Sequence, residues 1–325
     1  MTAPFTGLAT SAATRRIAGP AALPPANYVI EEIFEGTLEP TDEAVSVVMP
    51  AFNEGAHIAE QVCAVDTVLR GTGWRYEVIV VNDGSSDDTA QRASAAGARV
   101  LSRRQNAGYG ASLKAGVKAA RHDWILIIDA DGTYPAESIP TLLAIAKENE
   151  MVVGARVGEN VNIPFMRRPA KWFLRRLASY LAGQRLPDIN SGLRLMRRSL
   201  IRKYEHLLPS GFSFTTTITL AATCNGHAVA YVPIDYRPRL GDSKIRPRHA
   251  YDFTLLILRT IVFFNPLKVF IPLGAVLAAA GLAKFVYDVF RDNLSESAVL
   301  GLLGALIVWA VGLLADQNAR IATNR

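Results

Sequence analysis

The chain has 325 residues, 50% of them hydrophobic, with 35 Lys and Arg against 29 Asp and Glu, a formal charge of +6 and a pI near 9.4. That length suits one catalytic domain of roughly 200 to 250 residues plus extra elements, and a basic balance suits an anionic partner such as a nucleotide or a phospholipid surface. Two isolated cysteines, Cys63 and Cys224, make neither a disulfide framework nor a metal spacing, and no nucleic-acid-binding motif is present, so no nucleic-acid partner is expected.

Residues 1–43 are rich in Ala, Pro and Thr. Arg15 and Arg16 are not followed by a continuous apolar core, so a flexible tail is expected rather than a signal peptide, with a short ordered piece at 28–34. The apolar run Val45 to Met49, stopped by Pro50, predicts a buried strand. Ile58, Val62, Val65 and Leu69 recur at helical spacing, and the Gly71-Thr72-Gly73 turn closes that helix. A second strand is predicted at Glu77 to Val81. A short helix with Asp87 as its N-cap follows, and Gly97 lies just past its end. Arg99 to Leu101 predicts a third strand, Ser112 to Ala120 a helix, Trp124 to Ile128 a fourth strand and Met151 to Val153 another. Strand and helix alternating in this rhythm predict a mostly parallel sheet flanked by helices, which binds ligands beyond the C-terminal ends of its strands.

After residue 245 the pattern changes. From His249 to Phe264, apolar Phe253, Leu256, Ile257, Ile261 and Phe264 share one face, while Arg248, Asp252 and Arg259 share another. This is either an amphipathic helix lying along a bilayer or an ordinary packing helix. Pro266 to Val289 is long enough to cross a membrane, and Ala298 to Ala315 is a second, shorter apolar stretch. Lys284 and Asp288 near the end of the first are placed to pair or snorkel. Basic residues are richer before the first span than in the Arg291 to Ser297 link. An integral membrane protein is therefore expected, with its catalytic domain on the cytoplasmic side of the plasma (inner) membrane. The expected division is a tail at 1–43, an α/β domain at 44–245, a juxtamembrane helix at 246–264, and two transmembrane helices with a C-terminal tail at 265–325. A homo-oligomer is compatible with this arrangement.

Three polar clusters follow separate strands: Asn53-Glu54, Asp83, and Asp129-Ala130-Asp131. The alternation of elements brings them to one sheet edge. Two hard oxygen ligands at Asp129 and Asp131 suit Mg²⁺ or Mn²⁺ shared with a diphosphate, where the ion neutralises charge on a leaving group. Taken alone, the same pair also reads as a solvated turn. Asp83 and Asn53-Glu54 likewise read either as loop and cap residues or as acceptors for a base or ribose. The Asn106-Ala107-Gly108-Tyr109-Gly110 segment lacks the Gly-Lys-Ser/Thr ending and the G-x-G-x-x-G spacing, so a tight turn that admits a ligand is the better reading.

The segments SVVMPAFNE (46–54), VIVVNDGSSDDT (78–89), NAGYGASLKAG (106–116), ILIIDADGTYP (125–135) and INSGLRLMRR (189–198) together resemble the family-two glycosyltransferases. The branch of the dolichol- or polyprenyl-phosphate hexosyltransferases is the most similar. The resemblance implies a GT-A fold and an inverting transfer of a hexose from a UDP- or GDP-sugar to a polyprenyl phosphate at a bilayer. It implies that Pro50, Ala51, Asn53, Glu54 and Asp83 hold the nucleotide, that Asp129 and Asp131 hold metal and diphosphate, and that Arg156 and Arg176 lie near the phosphates. Ser191, Gly192 and Arg194 match a segment lining the active site. Lys244, in GDSK, matches a basic position facing phosphate. In one respect the chain departs from the pattern: Thr133 stands where the mannosyl branch usually carries a Gln that helps bind the metal, so a bridging water or a looser metal site is expected.

An alcohol acceptor needs a general base, whereas a phosphomonoester, with a second pKa of about 6, is already mostly ionised and needs positive charge for positioning. Arg237, Arg239, Lys244, Arg246 and Arg248 supply that charge just before the membrane segments, where attraction to anionic lipid heads is a compatible role. A processive polysaccharide synthase is disfavoured, because no Gln-x-x-Arg-Trp motif is present and two late spans are too few to line a polymer channel. An inactive membrane scaffold is opposed by intact Asp83, Asp129, Asp131, Arg194 and Lys244.

Overall fold

The computed structural model describes residues 43–156, 185–211, 213–237, 265–291 and 295–323, with the separate positions 176, 179, 180, 183 and 263. The tail expected over 1–43, Glu43 excepted, and the amphipathic helix expected over 246–264, Phe263 excepted, lie outside the described residues.

Seven strands form one sheet in the order β3-β2-β1-β4-β6-β5-β7. Their ranges are β1 Ala44–Ala51, β2 Arg75–Asn82, β3 Arg99–Ser102, β4 Trp124–Ile127, β5 Met151–Ala155, β6 Arg194–Arg197 and β7 Val229–Pro233. Both faces of the sheet are covered, so the strands read as near-continuous apolar runs rather than alternating ones. Successive β1 side chains go to opposite layers: Val45, Val47 and Met49 join one core and Val48 joins the other. The first layer is closed by α1 (Ile58–Arg70), α2 (Thr89–Ala95) and α4 (Ile139–Ala144). The second is closed by α3 (Tyr109–Ala119), α5 (Arg198–Tyr204) and α6 (Phe214–Cys224). Each large side chain fully buried in these layers is worth about 1.5–3 kcal/mol of transfer free energy.

Two departures from the sequence expectation carry consequences. The N-cap of α2 is Asp88, not Asp87. Asp87 sits one position earlier, where its carboxylate accepts the Thr89 N–H at 3.1 Å and the Gly55 N–H at 3.0 Å, so it ties two loops together as well as serving the helix end. The second departure is β6, which runs antiparallel between β4 and β5, with Ile127 opposite Arg194 and Val153 opposite Arg194. Reversal puts the beginning of β6 beside the ends of its neighbours. The loops after β1, β2, β4, β5 and β7 and the loop before β6 therefore share one edge.

Two further helices, α7 (Leu267–Val289) and α8 (Glu296–Thr323), are each long and apolar enough to cross a membrane. They pair closely: a Cβ on Gly301 would lie 2.9 Å from the Gly281 Cα, so the absence of side chains at that crossing lets the backbones meet. Lys284 and Ser295 both contact the Asp288 carboxylate, which joins the end of α7 to the start of α8. The helix α8 extends the expected second span in both directions. The Lys268 Nζ reaches the Tyr180 carbonyl at 3.4 Å, and Val269 rests on the second core, so the start of α7 touches the α/β domain.

Candidate active site

The shared edge is assembled from short polar loops that hold one another. After β1, Asn53 takes a positive φ of 54°, a conformation that Asn tolerates better than most residues. Its side-chain oxygen accepts the Ser86 N–H at 2.9 Å, and its own N–H donates to Ser85 Oγ at 2.9 Å. The Glu54 N–H donates to Thr89 Oγ1 at 3.0 Å. The β1 and β2 loops are thus one cross-tied unit, with Pro50 half-buried and Ala51 buried beneath it.

Asp83 is buried, 3% exposed. Its carboxylate accepts the Ala107 N–H at 3.1 Å and the Gly108 N–H at 2.8 Å, and Arg103 stands 3.6 Å away. In this structure Asp83 anchors the turn ahead of α3.

Asp129 and Asp131 follow β4 and are half-buried. The Tyr109 hydroxyl donates to Asp129 Oδ1 at 2.8 Å. On the other side of that carboxylate lies Gly192: a Cβ there would fall 2.3 Å from Asp129 Oδ2. The space exists only because position 192 has no side chain. Gly192 in turn donates its N–H to the Tyr134 hydroxyl at 2.7 Å. Asp131 Oδ1 accepts from the Thr133 N–H at 3.2 Å and the Thr133 hydroxyl at 2.6 Å. Thr133, 1% exposed, therefore holds the second carboxylate. Burial and the neighbouring Asp129 charge raise the Tyr109 pKa well above the ordinary phenol value, so the hydroxyl is a donor at neutral pH.

Arg156, just past β5, makes a two-pronged ion pair with Asp188: Nε to Oδ2 at 2.7 Å and Nη2 to Oδ1 at 2.9 Å. Its guanidinium also lies over the Tyr236 ring, 5.3 Å from the centroid. Burial tends to raise the Asp188 pKa, but the Arg156 charge and hydrogen bonds from Arg156 and Asn190 outweigh it, and the net shift is downward. Arg156 thus secures the loop that leads into Ser191 and Gly192.

Ser191 and Arg194 were expected to line the site, and the structure encloses both at 0% exposure. Ser191 Oγ donates to the Gly154 carbonyl at 2.5 Å. Arg194 donates through Nε and Nη2 to the Ser191 carbonyl, at 3.0 and 2.6 Å, and through Nη1 to the Thr215 carbonyl and Thr219 Oγ1, both at 3.0 Å. Burial lowers its pKa. Ser191 and Arg194 bond main-chain carbonyls and the Thr219 hydroxyl and hold the Ser191-Gly192 turn in place beside Asp129. Arg176 is exposed on a separate helical position. Arg237 is brought to the edge: its backbone N–H donates to the Thr133 carbonyl at 2.9 Å, and its side chain pairs with Glu137 at 3.2 Å. Lys244, Arg246, Arg248 and Arg239 lie outside the described residues.

Sequence reasoning missed Tyr109, Tyr134 and Asp188. A phenol set among glycines in NAGYG and an acid shortly before SGLR were the available signals, and neither indicates its partner without coordinates.

Among the described residues no group of three or more His, Cys, Asp or Glu side chains is placed to enclose a metal ion. Asp129 and Asp131 alone still fit a small hard cation, because Mg²⁺ typically takes one or two carboxylates and completes its shell with substrate phosphate oxygens and water.

Residues 46–205 match glycosyl transferase family 2, and residues 265–321 match the GtrB C-terminal hairpin. A dolichyl-phosphate hexose transferase of Haloferax volcanii is 33% identical over 211 residues, 64% of this chain and 90% of that protein. An undecaprenyl-phosphate 4-deoxy-4-formamido-L-arabinose transferase of Klebsiella pneumoniae is 31% identical over 256 residues, 75% of each chain. Glucosyl-3-phosphoglycerate synthase of Mycobacterium tuberculosis, crystallised with Mn²⁺, uridine diphosphate and phosphoglyceric acid, has a TM-score of 0.57 at 23% identity, covering 74% of this chain and 87% of that one. At that identity the likeness bears on the fold alone, which is GT-A-like.

Two outcomes test this geometry. Gly192→Ala sets a methyl group into the Asp129 carboxylate, so nucleotide binding that depends on divalent metal should fall at least tenfold, read by calorimetry. Asp188→Asn leaves the half-buried Arg156 beside a neutral partner and should cost about 1.5–3 kcal/mol in urea unfolding. Because the Asp188 pKa is depressed from 3.8, its contribution is fully present above that value and is lost as pH falls below it. The wild-type and Asp188→Asn stabilities should therefore converge on acidification.

Proposed function

The chain belongs to glycosyl transferase family 2, and from that premise we propose that it moves a hexose, with inversion, from a UDP- or GDP-sugar to a polyprenyl phosphate at a membrane surface. It is a glycosyltransferase. The observation that carries the acceptor assignment is the union of an Asp129-x-Asp131 edge with an apolar helix pair of the GtrB hairpin type. The two relatives above, named for transfer to dolichyl and undecaprenyl phosphate, support it.

In this reading the cross-tied loops of Pro50, Ala51, Asn53, Glu54 and Asp83 receive the nucleoside. Asp129 and Asp131 receive the diphosphate with Mg²⁺ or Mn²⁺, and the use of Mn²⁺ in the crystallised structural relative is consistent with that choice. When bound, the ion neutralises charge gathering on the leaving diphosphate. Tyr109, Thr133 and Gly192 fix the two carboxylates, and Arg156 and Arg194 fix the turn that carries Gly192. Arg176 supplies further positive charge toward the phosphates. The acceptor phosphate arrives already ionised, so positive charge can position it without a base. Lys244, Arg246 and Arg248, between the catalytic domain and the first span, are assigned to that phosphate. The excess of basic residues before α7 over the α7–α8 link supports a catalytic domain on the cytoplasmic side of the inner membrane.

The test is a transfer assay with detergent-purified protein, Mg²⁺ or Mn²⁺, a short polyprenyl phosphate and a panel of labelled UDP- and GDP-sugars. Labelled lipid with one donor is the expected result and names the sugar. Donor hydrolysis or transfer to a sugar or protein, without labelled lipid, overturns the acceptor assignment. Asp131→Ala should lower transfer on the order of 100-fold or more together with metal-dependent donor binding. Lys244→Ala should abolish transfer while leaving donor binding near wild type.

A further inference from the structure

The turn ahead of α3 touches both acidic centres of the edge through three consecutive residues. Ala107 and Gly108 donate their backbone N–H groups to Asp83, and Tyr109 donates its hydroxyl to Asp129 Oδ1 at 2.8 Å. Asp83 directly follows β2 and Asp129 lies two residues past β4, and these strands flank β1 on opposite sides in the sheet. The NAGYG turn thus bridges two strand ends that share no hydrogen-bonded register.

The turn has little freedom to move. Gly108 holds a φ of +100°, and a Cβ there would lie 2.7 Å from the Ser210 carbonyl. A Cβ on Gly110 would lie 2.2 Å from the Pro209 carbonyl. The Ala111 N–H donates to the Ser210 carbonyl at 2.9 Å, and Arg103 Nη2 donates to the Ala111 carbonyl at 2.8 Å. The two glycines flanking Tyr109 are thus pressed against the 209–211 loop, which sets where the phenol ring starts and where its hydroxyl ends.

We propose that Tyr109 is a positioning residue for the donor diphosphate: it orients the Asp129 carboxylate toward metal and phosphate, and through the same turn links that carboxylate to Asp83. This rests on the donor site proposed above. A neutral phenol suits the task. It donates one charge-assisted hydrogen bond to Oδ1, fixing the rotamer of the carboxylate, and brings no positive charge of its own to the site. A Lys or Arg at the same place would fix the carboxylate and cancel its charge. Gly192 confines the opposite face, so Asp129 is bounded on both sides. Partners that orient a ligating carboxylate commonly alter metal affinity by 10–100-fold when removed.

The experiment compares wild type, Tyr109→Phe and Asp129→Asn. Mn²⁺ binding is followed by electron paramagnetic resonance in the presence of UDP or GDP, and metal-free binding of UMP or GMP by calorimetry on the same preparations. Tyr109→Phe keeps the ring and loses only the hydroxyl. Expected is about tenfold weaker Mn²⁺ binding with the diphosphate, with monophosphate binding and thermal unfolding unchanged. If Asp129→Asn weakens Mn²⁺ binding and Tyr109→Phe matches wild type, the positioning role is overturned and the donor site stands. If Tyr109→Phe weakens mono- and diphosphate binding alike, the tyrosine only shapes the turn, and the proposal is again overturned. If wild type binds neither diphosphate in a Mn²⁺-dependent, Asp129-dependent manner, the donor-site reading itself fails and takes this proposal with it.

Discussion

Asp129 sits between a phenol hydroxyl and a bare Cα, and the arrangement of the edge follows from keeping that carboxylate in place. On one side Tyr109 must arrive at hydrogen-bond distance. On the other, Gly192 must approach so closely that no side chain fits. Neither neighbour is local in sequence. Tyr109 is delivered by α3 and the turn before it, and Gly192 by the loop entering β6, so the site depends on elements of both halves of the sheet.

The reversed strand β6 makes the second approach possible. In a wholly parallel sheet the segment before a strand lies at the edge opposite the segment after its neighbour. Because β6 is antiparallel to β4 and β5, Ser191 and Gly192 emerge beside Asp129 and Arg156. The buried polar groups nearby are fastened to that turn. Arg194 gives three of its four hydrogen bonds to main-chain carbonyls of Ser191 and Thr215, Ser191 bonds to Gly154, and Arg156 holds Asp188. A buried guanidinium is costly unless its nitrogens find partners, and each nitrogen of Arg194 has at least one. The consequence is a carboxylate edge held from several sides, of the kind that suits a cation sharing its coordination with a phosphate.

The helical hairpin obeys a different solvent. Apolar side chains cover its outer surface, while the inner crossing relies on Gly281 and Gly301 for close backbone approach. The polar contacts of Asp288 with Lys284 and Ser295 are gathered at the turn end, away from the middle of the span. The start of α7, through Lys268 and Val269, meets the α/β domain, which ties that domain to the apolar helix pair.

By itself the sequence determined what depends on neighbouring residues. The apolar runs of β1, β2 and β4, the helical spacing of α1, the two spans and the acidic residues at strand ends were all legible, because burial on both faces and membrane thickness each impose a local pattern. The ordered motifs also made the family legible. What the sequence did not disclose was the direction of β6, since Arg-Leu-Met-Arg carries no mark of parallel or antiparallel pairing. Nor did it disclose the partners of Tyr109, Asp188 and Arg194, which lie 20, 32 and up to 25 residues away along the chain. Ser191 and Arg194 were expected to line the site only because their segment resembles the family's motif. Tertiary structure turned them inward, because the orphan carbonyls of a buried turn need donors more than an exposed edge does.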